Sequence, residues 1–117
     1  MTVQRLHVEK RFSEIAISGN LIHLAGQLAS DTRLDIKGQT QQTLDIIDCF
    51  LADAGTDKSH IMSVTIYLKD IEKDYAKFNE VWDTWVSDIQ ALPRTCVEAK
   101  MYTPDVLVEM TVVAVQP

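Results

Sequence analysis

The hydrophobic period of this chain changes twice between residues 40 and 89, and that change limits the folds open to it. Leu44, Ile47, Leu51 and Ala54 share one helical stripe. Val64, Ile66 and Leu68 then alternate with Thr65 and Tyr67, and Tyr75, Phe78, Trp82, Trp85 and Ile89 return to helical spacing. A stripe repeating every three to four residues faces one way only in a helix, and strict alternation does so only in a strand. The spacing predicts a helix over about Thr40 to Ala54, stopped by Gly55, and a strand over Ile61 to Leu68. A second helix follows over about Glu72 to Ile89, with Asp70 as its N-cap and Leu92-Pro93 as its break.

The flanks read as strands. Arg11 to Gly26 is a hairpin turning at Ser18-Gly19-Asn20, with Val3 to Val8 as an edge strand before it. Asp31 to Gly38 is polar and reads as a loop. Thr95 to Met101 and Val106 to Val115 close the chain around a turn at Tyr102 to Asp105. The order β-β-(β)-α-β-α-β-β predicts an α+β domain in which two helices cover one sheet face. In the last strand that face is Val108, Met110, Val112 and Ala114. The other face, with Leu107, Glu109, Thr111, Val113 and Val115, is too apolar for open water. A second copy of the chain is its simplest cover.

Composition narrows the function. The 117 residues fit one domain, 1–117, with 46% hydrophobic and 24% charged residues. Net charge is −6 and no basic cluster is present, which argues against nucleic acid and against an anionic membrane surface. No apolar run approaches the ~20 residues that span a bilayer. Met1 to Arg5 lacks the apolar core of a secretion signal, so a cytoplasmic location and reduced Cys49 and Cys96 are expected. His7, His23 and His60 have no ligand spacing and no glycine motif cradles phosphate, so neither metal nor cofactor is expected.

Two residues stand out. Arg94 opens an alternating strand and Glu109 interrupts an apolar one. Pairing of their strands would bring a cation and a carboxylate to one small space. An arginine fork can hold a substrate carboxylate, and a carboxylate can orient or deprotonate a water. The plain alternatives are a surface arginine, and a glutamate that limits edge pairing or forms a structural ion pair. Cys96 has no neighbouring histidine in the sequence to activate it as a nucleophile. His23 shares a strand face with Leu21 and Ala25 and could line a pocket, though a structural role is the simpler reading. The Trp82/Trp85 stripe reads as core.

Nearly the whole chain resembles the Rid family of imine and enamine deaminases, also called the YjgF family. The resemblance runs through Gly26-Gln27, Gln39-Thr40-Gln41-Gln42-Thr43-Leu44, Ala54-Gly55, Val64 to Asp70 and Asn79. Its most specific part is Arg94-Thr95-Cys96-Val97-Glu98-Ala99, with Glu109 thirteen residues after Cys96. The resemblance implies a chorismate mutase-like fold, a six-stranded sheet backed by two helices. It implies a homotrimer with sites between subunits, and hydrolysis of 2-imino acids to 2-keto acids and ammonia. Arg94 matches the arginine that grips the substrate carboxylate, and Glu109 the glutamate that positions water. Cys96 matches the residue whose backbone carbonyl, not its thiol, faces the imine nitrogen. Two departures stand near the substrate. Phe12 replaces a usual tyrosine, and Ala25 a usual serine or threonine. The other reading is a non-catalytic trimer that binds small carboxylates as a sensor or protein partner.

Overall fold

The computed structural model describes residues 2–117. Six strands form one sheet: β1 (Gln4–Val8), β2 (Ser13–Ser18), β3 (Leu21–Gln27), β4 (Ile61–Leu68), β5 (Arg94–Glu98) and β6 (Val108–Val115). Their spatial order is β1-β2-β3-β6-β4-β5. Neighbours are antiparallel except β4 and β5, which run parallel. Helices α1 (Ile36–Asp53) and α2 (Ile71–Trp85) make the crossovers that parallel pairing and a distant return require.

Both helices pack on the same sheet face. Leu44, Ile47 and Leu51 of α1 and Phe78, Trp82 and Trp85 of α2 are buried against Ile15, Ile22, Val64, Ile66, Leu68, Val108, Met110, Val112 and Ala114. Each Val, Leu, Ile, Phe or Met among them withdrawn from water contributes about 1.5–3 kcal/mol. The predicted split of the last strand holds: those four β6 residues are buried, while Glu109, Thr111, Val113 and Val115 are half-buried on the uncovered face.

Element ends differ from expectation for local reasons. Helix α1 begins at Ile36 rather than Thr40, because the Asp35 side chain caps it, accepting from the Gly38 amide at 2.9 Å. Asp70 caps α2 as expected, accepting from the Lys73 amide. Helix α2 stops at Trp85, four residues early. Ser87 donates from its amide and its hydroxyl to the Thr84 carbonyl, tightening the last turn. Strand β5 ends at Glu98, whose carboxylate accepts from the Ile71 amide. Strand β6 begins at Val108, because Val106 still bonds back to Thr103 across the turn. Buried Gln39 fixes that turn to α1. Its amide nitrogen lies 2.9 Å from the Asp105 carbonyl, and its side-chain oxygen accepts from the Leu107 amide at 2.9 Å.

One expectation is corrected. The strands of Arg94 and Glu109 do not pair, because β4 lies between β5 and β6. Val64 and Ile66, on the helix face of β4, sit level with Arg94 and Cys96. Tyr67, on the opposite face, sits level with Glu109. The two candidate residues therefore occupy opposite faces of the sheet.

Candidate active site

Arg94 enters β5 with its strand held by the bond from the Val64 amide to the Pro93 carbonyl. Its guanidinium lies over three rings of α2: Trp82 at 5.2 Å, Tyr75 at 5.8 Å and Phe78 at 5.9 Å. Nη2 donates to the Tyr75 hydroxyl at 3.1 Å. Among the described residues no carboxylate pairs with Arg94. Its Nη1 is buried without a hydrogen-bond partner among the described residues, as is Oδ1 of Asn79 on α2. Aromatic faces stabilise a cation by roughly 0.5–2 kcal/mol each, yet they leave its in-plane donors unsatisfied. The result is a fixed charge able to accept an anion.

Cys96 lines the same hollow as Arg94, with Ile71, Glu72 and Tyr75. Burial pushes its thiol pKa up, and nearby Arg94 offsets this only in part. The protonated thiol is therefore favoured at neutral pH, which weakens it as a nucleophile. Strand β5 is a sheet edge, so one row of its backbone groups has no strand partner.

Glu109 belongs to a second cleft, of about 760 Å³, whose walls include Phe12, Glu14, Ala25, Gly26, Tyr102 and Phe50. The ladder between β3 and β6 shifts register between Leu24 and Gln27. There Gly26 passes so close to Glu109 that a Cβ on residue 26 would lie 2.1 Å from the carboxylate. Glycine leaves room for the acid in this position. Beside it, Gln27 donates to Glu14 at 3.1 Å.

The sequence-predicted residues thus divide between two separate hollows. Arg94 and Cys96 stand on the helix side of one sheet edge. Glu109, Phe12 and Ala25 gather at the β3 irregularity. His23 pairs with Ala16 and Val113 and is exposed outside both hollows. Sequence reasoning missed Tyr75, placed in the core stripe by its spacing but 42% exposed and bonded to Arg94. It also missed the fit of Gly26 to Glu109, although Gly26 stood in a motif that carried the resemblance.

The comparisons with known proteins bear on the family and the fold. A family profile described as "Endoribonuclease L-PSP" matches residues 2–116. A RutC family protein from Haemophilus ducreyi is 41% identical over 112 residues, covering 96% of this chain and 95% of that protein. An uncharacterized protein from Pseudomonas aeruginosa superposes with a TM-score of 0.94 at 40% identity, covering 99% of this chain and all of the other. A YjgF family member from Neisseria meningitidis also gives 0.94, at 36% identity, covering 100% of this chain and 97% of that one. The fold is chorismate mutase-like, and the chain belongs to the YjgF family, whose other names are Rid and RutC.

Proposed function

We propose that this protein hydrolyses reactive 2-imino acids to 2-keto acids and ammonia, at sites assembled between the subunits of a homotrimer. The observation that carries the reading is the guanidinium of Arg94, without a carboxylate partner among the described residues and held over three aromatic rings beside Cys96. Such a group suits one carboxylate of a small substrate. Glu109 is on the other sheet face, so a neighbouring subunit supplies the carboxylate that completes each site.

In this scheme Arg94 clamps the substrate carboxylate, and the Cys96 carbonyl faces the protonated imine nitrogen. Glu109 of the neighbouring subunit accepts a proton as water adds to the imine carbon. The carbon–nitrogen double bond becomes single, giving a tetrahedral amino alcohol. Glu109 then gives that proton to the nitrogen. As the carbon–nitrogen bond breaks and ammonia leaves, the carboxylate takes the hydroxyl proton and the carbon–oxygen bond closes to the keto group. General-base help of this kind is worth about 10²–10⁴ in rate. No metal or cofactor takes part in these steps.

A second reading is favoured by one observation. Phe12 and Ala25 leave the Glu109 cleft without hydroxyls at two positions, which suits a non-catalytic module that binds small carboxylates. RNA cleavage, named in the family profile, finds no support in a net charge of −6 without a basic cluster. The test is ammonia release from 2-iminopropanoate generated in situ, with Glu109→Gln beside the unaltered protein. The proposal expects turnover in the unaltered protein and a loss of at least about a hundredfold in the variant, with keto-acid binding retained. Keto-acid binding without turnover in the unaltered protein supports the binding module instead.

A further inference from the structure

We infer that Tyr75 is a second anchor for the substrate carboxylate, its hydroxyl donating a hydrogen bond beside the fork of Arg94. The inference rests on the imine-hydrolase reading and adds a residue to that site. The two side chains share one hollow with Cys96. Arg94 Nη2 donates to the Tyr75 oxygen at 3.1 Å, so the arginine occupies an acceptor lone pair of that oxygen. A phenol has one proton of its own, which must then point elsewhere. Glu72 is the acid lining the hollow, and among the described residues neither Tyr75 nor Arg94 hydrogen-bonds to it. An anion seated against Arg94 can therefore receive the phenol proton.

Tyr75 is built for contact rather than for the core. Its helical stripe neighbours Phe78 and Trp82 are 0% and 4% exposed, while Tyr75 is 42% exposed. Its ring still lies 5.8 Å from the guanidinium and so holds the hydroxyl beside that charge. Tyr75 places a hydroxyl in the Arg94 hollow itself. Charge and hydroxyl thus come from one rigid pair of elements, α2 and β5.

The experiment titrates pyruvate and 2-oxobutanoate into the unaltered protein, Tyr75→Phe, Arg94→Ala and the double variant, and measures imine turnover for each. Phenylalanine keeps the ring under the guanidinium and removes only the hydroxyl. The expected result in Tyr75→Phe is a Kd and a KM raised about three- to tenfold, with kcat within about twofold and the melting temperature unchanged. In the Arg94→Ala background the same change should add nothing, because both groups hold one carboxylate. Keto-acid binding in Tyr75→Phe equal to that of the unaltered protein overturns the anchor and leaves the imine-hydrolase reading standing. A fall in kcat at unchanged KM also overturns it. An unaltered protein that neither binds keto acids nor releases ammonia overturns both.

Discussion

Arg94 and Glu109 stand on opposite faces of one sheet, in strands separated by β4. Arg94 is level with buried Val64, and Glu109 is level with Tyr67 on the face the helices leave uncovered. A substrate a few atoms long cannot bridge a sheet from face to face. If both residues act on one molecule, they come from two copies of the chain. Ring symmetry is the economical way to supply this, since each copy then offers one half-site to each neighbour.

The charge at Arg94 should dominate carboxylate affinity. Arg94→Ala removes a contact worth about 1.5–3 kcal/mol, so keto-acid binding should weaken at least tenfold by calorimetric titration. Arg94→Lys should recover only part of this, because an ammonium lacks the planar fork that lies over Trp82. Unchanged binding in the alanine variant places the carboxylate site elsewhere.

A side chain at position 26 should cost activity by moving Glu109. A Cβ there would sit 2.1 Å from the Glu109 carboxylate, the far end of a flexible side chain, so Gly26→Ala should swing the acid aside and leave the strand in place. The expected outcome is a nearly unchanged melting temperature and turnover reduced as in Glu109→Gln. Normal turnover would mean that Glu109 does not work from its place over Gly26.

The Cys96 thiol should be dispensable and slow to react. Burial raises its pKa, so at pH 7–8 a smaller fraction is thiolate than for an ordinary cysteine. Exposed Cys49 should be alkylated first, as mass spectrometry of partly labelled protein can resolve. Cys96→Ser should keep turnover within a few-fold, since only its backbone carbonyl is assigned a role. A loss as large as that of Glu109→Gln would contradict this.

The uncovered sheet face should be the subunit interface. Val113 is half-buried there, level with His23 and Ser63. Val113→Glu would bury an unpaired charge between copies, a cost of several kcal/mol. Sedimentation should show dissociation with near-native circular dichroism. A variant that sediments as the unaltered protein would move the interface elsewhere.

Much of this fold was legible because it is written locally. The stripes Leu44-Ile47-Leu51 and Phe78-Trp82-Trp85, the alternation of β4 and β6, and the Asp70 cap each depend on residues a few positions apart. The start of α1 was missed because Gly38 reads as a loop residue, while the signal that wins is the Asp35 cap. The relation of Arg94 to Glu109 was not legible. It depends on β5 joining the far edge of β4, a choice made by the α2 crossover and not by either strand's own sequence. Tyr75 was misread because periodicity places a residue on a helix face without saying how far the neighbouring strand extends to cover it.

Subunit complementation tests the central claim most directly. Arg94→Ala and Glu109→Gln chains, each with its own tag, are co-expressed, and trimers carrying both tags are purified. In a ring where each site takes Arg94 from one copy and Glu109 from the next, either mixed composition contains one intact site. The account predicts ammonia release from 2-iminopropanoate at about one-third of the unaltered trimer's rate, from two parents that are each nearly inactive. Mixed trimers as inactive as their parents, beside an active unaltered protein, would contradict a site shared between subunits.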